Sequence, residues 1–192
     1  MTSTGAPSAT SGSPHSQVTV VTPTIPGRET LLDECRASVQ AQTVPVDHLV
    51  YLDEGRVGPQ AARNSLVEQV DTEWILPLDD DDLLDPDCIE TLLDEAEDGE
   101  IVYPWVRCDP ENAQMSMIVN KLFDPQALFR LNFIPCTALI KTDVFRMLGG
   151  YRQEPLEDWR LWQRAWLHGV RFRCVPEVKW TYRFKVNEFQ AA

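Results

Sequence analysis

Residues 74–82 read WILPLDDDD, an apolar run that passes directly into four aspartates. Five apolar residues in a row are typical of a buried strand, so Asp79 marks the point where that strand ends. Adjacent carboxylates repel one another by about 0.5–1 kcal/mol for each close pair at a surface. A buried strand end is a poor place for this repulsion unless a cation relieves it. The stretch therefore predicts a sheet with a charged site at its edge.

Two further runs of strand type lie upstream: the one at 18–22 is stopped by Pro23, and the one at 48–52 ends at Asp53. The segments that follow these runs carry apolar side chains at helical spacing. Strands that alternate with helices at this interval predict right-handed βαβ units and an α/β fold with a mainly parallel sheet. Ligands bind such sheets outside the carboxyl ends of the strands, where we expect 23–28, 53–55 and 79–82 to meet.

The chain has 192 residues, of which 43% are hydrophobic, and we expect one folded domain over 18–192. Residues 1–17 consist mainly of Ser, Thr, Gly, Pro and Ala, which cannot bury enough apolar surface to offset ordering, so a disordered tail is predicted. In the less regular second half, 109–117 is predicted to be a turn or loop. The net charge of −13 disfavours a nucleic acid backbone as the partner.

The five cysteines are widely and irregularly spaced, and no two of them form a CxxC pair. This pattern disfavours a structural zinc site and favours reduced thiols in a cytoplasmic protein. No apolar run approaches the roughly 20 residues that span a bilayer, and the N-terminus lacks the pattern of a signal peptide. We therefore expect a cytoplasmic location.

The aspartate run has two interpretations that its residues alone leave open. In an extended segment Asp79 and Asp81 point the same way, as two oxygen ligands for Mn²⁺ or Mg²⁺. Such a cation neutralises the charge of a substrate diphosphate and makes it a better leaving group. The alternative is a solvated acidic turn in which Asp82 or Asp85 caps the next helix.

Four segments in order carry a more specific pattern: VTVVTPTIPGR at 18–28, SVQAQTVPVDHLVYLDEG at 38–55, GPQAARNSLVEQVDTEWILPLDDDD at 58–82, and GGYRQEPLEDWRLWQRAWLHG at 149–169. Together they resemble the glycosyltransferases of the GT-A fold, in particular glycosyltransferase family 2. The Asp-x-Asp motif formed by Asp79 and Asp81 is unspecific by itself. The ordered set of four segments is more specific, and it covers nearly all of 18–184. The resemblance implies a Rossmann-like GT-A domain whose central sheet is flanked by helices.

The resemblance also implies an activity, which is the inverting transfer of a sugar from a nucleotide-diphosphate sugar, with UDP favoured, to an acceptor hydroxyl. The implied nucleotide-sugar-binding residues are Thr22, Pro23, Arg28, Asp53, Arg63, Asp79 and Asp80. Asp81 is the clearest implied metal ligand, with Asp79 beside it, and the implied cofactor is Mn²⁺ or Mg²⁺.

Asp158, with Glu157 beside it, is the implied catalytic base. An inverting transfer needs a group that removes the proton of the acceptor hydroxyl, and backbone N–H groups at a helix N-terminus fix such a carboxylate. Simple helix capping by these two residues is the alternative.

The acceptor-side candidates are Trp105, Trp159 and Arg183. Trp159 lies in a helical stripe with Trp162 and Trp166, a pattern more typical of a core than of a sugar platform. For Trp105, stacking on a sugar ring and a purely structural role are equally compatible with the sequence. Arg183 suits either a phosphate contact or an ion pair with an acidic loop.

Two other functions stay open at this point. A nucleotidyltransferase shares the sheet and the aspartates, although residues 26–28 offer only a thin version of its Gly-rich loop. A non-catalytic sugar-nucleotide-binding module is disfavoured because both carboxylate sites are present. The sequence does not decide which acceptor is used: a glycan, a lipid carrier, a small molecule, a protein and a modified nucleic-acid base all stay open. Little sequence remains for an acceptor domain, so we expect an open acceptor site or one completed by a second subunit in a homodimer.

Overall fold

The computed structural model describes residues 16–96 and 100–183. Most of the predicted disordered tail over 1–17 therefore lies outside the described residues. The last two residues of that stretch are hydrogen-bonded: Ser16 Oγ donates to the Val18 carbonyl at 2.7 Å, and the Trp74 amide donates to the Gln17 carbonyl at 3.0 Å. From Ser16 onward the backbone thus lies against the sheet.

The described residues form seven strands and six α-helices, with a short 3₁₀ helix at Ala127–Phe129. The strands are β1 (Val18–Thr24), β2 (Val46–Leu52), β3 (Trp74–Pro77), β4 (Leu83–Leu84), β5 (Ile101–Asp109), β6 (Leu139–Lys141) and β7 (Phe172–Arg183). The helices are α1 (Glu29–Gln40), α2 (Pro59–Val67), α3 (Cys88–Asp94), α4 (Ala113–Val119), α5 (Thr142–Met147) and α6 (Glu157–Leu167).

All seven strands belong to one sheet of order β2-β1-β3-β6-β5-β7-β4. β1 pairs in parallel with β2 and β3, and β5 pairs in parallel with β7. β6 runs antiparallel between β3 and β5, and β4 runs antiparallel to β7. The predicted α/β fold with a mainly parallel sheet is confirmed, and β2, β1 and β3 form its first parallel set.

Because β2, β1 and β3 are parallel, their carboxyl ends lie at one edge of the sheet. Thr24 pairs with Leu52, and Val21 pairs with Pro77, so the segments after these strands begin side by side. This register brings residues of the predicted segments 23–28, 53–55 and 79–82 together.

Helices and loops cover both faces of the sheet. Successive strand residues point to opposite faces, so Ile75 and Leu76 belong to two different buried clusters. Ile75 packs in the cluster that contains Phe133 and Trp162, whereas Leu76 packs in the one that contains Trp180. These two layers hold the carboxyl edge rigidly enough to carry a site.

The loop prediction for 109–117 is wrong. β5 continues to Asp109, and α4 begins at Ala113. The Asn112 side chain accepts a hydrogen bond from the Met115 amide at 2.9 Å, which is an N-cap geometry that the sequence signals only weakly. The consequence is a short helix beside the site, in place of the expected irregular loop.

Candidate active site

A cavity of about 480 Å³ opens at the carboxyl edge of β1, β2 and β3. Its lining includes six of the predicted nucleotide-sugar residues, namely Pro23, Arg28, Asp53, Arg63, Asp79 and Asp80, together with the predicted metal ligand Asp81. Residues from three separate strand ends and from α2 thus meet in one concave surface.

Thr22 is the predicted nucleotide residue that the structure does not bring to this cavity. It is fully buried in β1, and its Oγ1 lies 2.9 Å from Nε2 of His48 on β2. Burial, and then the charge of Arg36, lower the pKa of His48 to about 4, so the ring is neutral at pH 7. Thr22 therefore joins two strands, and Thr24, two residues further on, lines the cavity instead.

Arg28 holds the middle of the aspartate run. Its Nε donates to Asp80 Oδ2 at 2.8 Å, and its Nη2 donates to both Asp80 and Asp81. Thr24 Oγ1 adds a second donor to Asp80 Oδ2 at 2.6 Å. Asp80 is 5% exposed, so its charge is balanced at short range inside the protein.

Arg63 joins the aspartate run to the start of α6. Its guanidinium is an ion-pair partner of Asp79, and its Nη1 lies 3.2 Å from Glu157 Oε1. Burial alone would lower the pKa of Arg63, but the charge of Asp79 raises it well above the ordinary value. Arg63 is 3% exposed and stays a cation between two carboxylates.

A second set of contacts, made by Asn64 and Tyr151, supports the position of Arg63. The Asn64 side chain accepts from the Tyr151 amide at 2.9 Å and donates to the Tyr151 carbonyl at 2.7 Å. The Tyr151 ring in turn lies 5.5 Å from the Arg63 guanidinium carbon. Gly150 has φ +66°, and a Cβ there would lie 2.6 Å from Asn64 Oδ1, so a glycine is required. The segments 58–82 and 149–169 are thereby held together.

Asp82, the last residue of the aspartate run, is hydrogen-bonded to Arg183 at the end of β7. Asp82 is 2% exposed, and its Oδ1 accepts from the Arg183 amide at 3.0 Å. Burial raises the pKa of Asp82 well above its usual range, and the neighbouring charge of Asp79 adds to the effect. The Arg183 side chain contacts the Asp81 carbonyl and the Glu34 carboxylate. The Arg183 side chain is therefore ion-paired, although with a carboxylate on helix α1 and not with one in an acidic loop. Its predicted contact with a phosphate stays a prediction.

The guanidinium groups of Arg28, Arg63 and Arg183 therefore relieve much of the predicted repulsion at the strand end, while the charge of Asp79 still acts on Asp82. The side chains of Asp79 and Asp81 are still 40% and 23% exposed, and both line the cavity. Their carboxylate oxygens are the ligands that a hard divalent cation prefers, so these residues fit such an ion. Across 16–96 and 100–183, no three His, Cys, Asp or Glu side chains are grouped to hold a metal by themselves.

Asp53 lines the cavity of about 480 Å³ and holds the turn that follows β2. Its two carboxylate oxygens accept from the backbone amides of Val57 and Gly58, at 2.8 and 2.9 Å, and the residue is 4% exposed. Each oxygen keeps a second lone pair, so these bonds are compatible with a base contact. The predicted reading of a nucleotide base by Asp53 stays a prediction.

We expect Asp53→Ala to lower the free energy of unfolding by about 1–3 kcal/mol, because two backbone amides lose their charged acceptor. Urea unfolding measures this loss. Asp47→Ala, at an exposed position of β2, is the matched control. Equal stability of the two variants would show that the carboxylate does not hold the turn.

A second cavity, of about 660 Å³, adjoins the first one. Arg63, Asp79 and Glu157 line both, so the two cavities meet at this ion-paired group. Asp158 and Trp159 line the larger cavity only. The aspartate run and the predicted base thus border one continuous space.

Asp158 lies in the first turn of α6, which begins at Glu157. The Nδ2 atom of Asn132 lies 3.3 Å from both Asp158 oxygens, and the Trp159 amide donates to Oδ1 at 2.7 Å. Burial raises the pKa of Asp158, and these hydrogen bonds oppose the rise only in part. The N-cap position belongs to Leu156, which has φ +57°, so Asp158 is not the capping residue.

Sequence reasoning missed Asn132, whose amide holds the carboxylate of the predicted base. Nothing in the local pattern marks it, because it lies 26 residues from Asp158 and meets it only through the fold. It also missed Thr24 and Asn64, although both lie inside the segments quoted for the family resemblance.

The two tryptophans among the acceptor-side candidates, Trp159 and Trp105, occupy different places. Trp159 lines the larger cavity, and its indole N–H contacts the Leu128 carbonyl. Trp105 lies outside the lining of both cavities, while its strand neighbour Val106 lines the larger one. Within the tryptophan stripe, Trp162 is fully buried, as expected of a core residue, whereas Trp166 is 37% exposed.

Solved structures define the class of this fold. S. aureus TarS superposes with a TM-score of 0.73 at 14% identity, over 88% of this chain and 37% of TarS. TarS 1–349 in complex with UDP-GlcNAc gives 0.73 at 16% identity, over 92% of this chain and 61% of that one. The mannosyltransferase PcManGT from Pyrobaculum calidifontis, in complex with GDP-Man and Mn²⁺, superposes with a TM-score of 0.72 at 17% sequence identity. The match covers 93% of this chain and 60% of PcManGT.

The likeness shows that the chain has the GT-A fold of these glycosyltransferases, and it spans less than two thirds of the length of each. The sequence profile of Glycosyl transferase family 2 matches residues 45–160, which is more than half of the chain. The chain therefore belongs to glycosyl transferase family 2, and the predictions of fold and family are confirmed. A comparison with curated proteins finds no match.

Within the part of the chain that the structure describes, every helix is too short or too polar to cross a membrane.

Proposed function

We propose that this domain transfers a sugar from a nucleotide-diphosphate sugar to an acceptor hydroxyl, with inversion at the anomeric carbon. The observation that carries the proposal is the position of Arg63, which pairs with Asp79 on one side and Glu157 on the other. A donor bound along the aspartate run would therefore present its reacting carbon next to Asp158. Membership of the family supports the class of reaction.

The smaller cavity is the proposed donor site. Asp53, with the turn that it holds, borders the nucleotide, and Arg28 and Arg63 are the cations nearest to the diphosphate. Both arginines are already fixed by carboxylates, so little side-chain freedom is lost on binding. The TarS and PcManGT structures hold UDP-GlcNAc and GDP-Man, which supports a sugar nucleotide as the ligand.

Asp81 and Asp79 are the proposed protein ligands of Mn²⁺ or Mg²⁺, and the Mn²⁺ in the PcManGT structure supports this choice. When bound, such an ion neutralises the charge that develops on the leaving diphosphate. With two protein carboxylates at hand, oxygens of the donor are needed to complete the coordination.

Asp158 is the proposed general base. Its carboxylate takes the proton of the acceptor hydroxyl, the acceptor oxygen bonds to the anomeric carbon, and the bond to the diphosphate breaks as the nucleoside diphosphate leaves. A single displacement of this kind inverts the configuration at that carbon. Asn132 acts as a positioning residue, since its amide holds both oxygens of Asp158.

Donor turnover tests the proposal. The protein, with Mn²⁺ and a panel of UDP-, GDP- and dTDP-sugars, should release a nucleoside diphosphate from at least one donor, with water or an added alcohol as acceptor. NMR of the product should show an anomeric configuration opposite to that of the donor. A product that retains the configuration would contradict the inverting mechanism, and transfer of a nucleotidyl group would favour the nucleotidyltransferase alternative.

The activity should fall on acidification with a pKa above that of an ordinary aspartate, about 3.9. Burial raises the pKa of Asp158, and the base works only when deprotonated, so kcat/KM declines as the pH drops through that value. Asn132→Ala removes a hydrogen bond that lowers the pKa, so the acid limb should move to higher pH. An unmoved limb would show that Asn132 does not act on Asp158.

The preference for UDP over GDP, the homodimer and the cytoplasmic location stay predictions from the sequence. A domain that binds donors with Mn²⁺ but releases no nucleoside diphosphate with any acceptor would be the non-catalytic binding module.

A further inference from the structure

Part of the larger cavity has an apolar lining. The side chains that line this part include Met115, Ile118, Leu131, Pro135, Trp159 and Tyr182. Of these side chains only Tyr182 and Trp159 carry a polar atom, and the Trp159 N–H already donates to the Leu128 carbonyl. Most hydroxyl groups of a glycan chain would therefore be buried here without a partner, which is costly. The walls therefore favour a ligand that is itself apolar.

The charges around the cavity disfavour an anionic ligand. Four carboxylates line it, from Asp79, Asp82, Glu157 and Asp158, against the two guanidinium groups of Arg63 and Arg130. Arg63 is already paired with Asp79 and Glu157. A phosphorylated acceptor would bring further negative charge beside these carboxylates without the divalent cation that accompanies the donor diphosphate, so a neutral acceptor is favoured.

Helix α4 holds its apolar face toward the cavity. Met115, Ile118 and Val119 lie three and four residues apart, and all three line the cavity. Met117 lies on the other side of the helix and is 81% exposed. The Asn120 side chain fixes the end of the helix to β5, with hydrogen bonds of 2.7 and 3.0 Å to the amide and carbonyl of Val106.

We infer that the acceptor is an uncharged alcohol whose hydroxyl is attached to an apolar body, either an aromatic ring or an alkyl chain. The apolar body lies between α4 and Trp159, and the hydroxyl faces Asp158. The cavity of about 660 Å³ has the size of a small-molecule site. This inference rests on the proposed transferase function and narrows the acceptor to one chemical class.

An acceptor panel tests the inference in the presence of a donor that binds. The panel contains an aromatic alcohol, a short-chain alkyl alcohol, a free hexose and a hexose phosphate, and the rate of nucleoside diphosphate release is measured against water alone. One or both apolar alcohols should accelerate release at least tenfold and saturate at a lower concentration than either sugar. The alcohol with the lower KM shows whether the apolar body of the acceptor is an aromatic ring or an alkyl chain. A hexose or hexose phosphate with the lowest KM would overturn the inference.

Two variants of α4 provide the matched test. Ile118→Gln should raise the KM for the apolar acceptor about tenfold, because it puts a polar group on the cavity wall. Met117→Gln, one residue away on the exposed side, should leave it unchanged. Equal KM values for the two variants would overturn the inference, and Met115→Ala gives a second reading if Ile118→Gln does not fold.

Donor binding, measured by calorimetry on the wild-type protein, separates the acceptor class from the transferase function. A protein that binds no donor would contradict the proposed function itself. A protein that binds and turns over a donor but prefers sugars as acceptors would contradict only the acceptor class.

Discussion

Asp158→Asn should reduce sugar transfer by about 10²- to 10⁴-fold, which is the range expected for loss of a general base. Asparagine is nearly isosteric and keeps an oxygen that the Trp159 amide can reach, but it cannot accept the proton of the acceptor hydroxyl. Donor affinity should stay within about twofold of the wild type, because Asp158 lines the larger cavity and not the smaller one. Single-turnover kinetics and donor titration measure the two quantities separately.

The same variant should be at least as stable as the wild type at pH 7. Burial raises the pKa of Asp158, so the folded protein holds this proton more tightly than the unfolded chain does. The stability contributed by the group is therefore lost as the pH rises through the raised pKa, and a neutral Asn avoids that loss. Asp143→Asn, at an exposed position of α5, is the control for both measurements. Unchanged transfer in Asp158→Asn would show that another group is the base.

Arg63→Met should lower the free energy of unfolding by about 3–5 kcal/mol, because removal of one partner leaves buried charge uncompensated. Arg63 is 3% exposed and pairs with two carboxylates, Asp79 and Glu157. For a chain of this size the melting temperature should fall by about 10 °C or more. Donor binding should also be lost, since the guanidinium borders the proposed diphosphate site.

Arg36→Met is the matched control for this prediction. Arg36 is 44% exposed and lies 3.7 Å from Asp33 in an i,i+3 pair, so its loss should cost less than about 1 kcal/mol. Differential scanning calorimetry compares the two variants directly. Equal melting temperatures would mean that Arg63 does not link the aspartate run to α6.

The strands β1, β2 and β3 could be predicted because their runs are short and end at Pro or Asp. The run at 74–78 ends at four aspartates, and parallel pairing then dictates which segments meet. The same pairing rule is sufficient to predict that Arg28, Asp53 and Asp79 lie at one edge of the sheet.

Contacts between distant segments could not be predicted from the sequence. The charge argument at 79–82 required a cation, and the structure supplies arginines from three different elements. Only the folded chain brings Arg183 at the end of β7 to Asp81, 102 residues earlier.

The acceptor side was the least predictable part. α4 is only seven residues long, and Asn112 is the single capping signal at its start, so the local pattern is too short to indicate an apolar helix face. Trp105 and Val106 are neighbours in sequence, yet Val106 lines the larger cavity and Trp105 does not. The register of β5 against β7 determines which of the two side chains reaches the cavity, and this register shifts on both sides of Trp105.

The central claim is that a sugar nucleotide binds along the aspartate run, and calorimetry with Mn²⁺ tests it most directly. Titration of UDP-GlcNAc, GDP-mannose and other activated sugars into the wild-type protein should give a saturable heat for at least one donor. Asp81→Asn should weaken that binding at least tenfold, because it removes the clearest metal ligand. If no donor gives a binding heat with Mn²⁺ present, or if Asp81→Asn binds as tightly as the wild type, the account is contradicted.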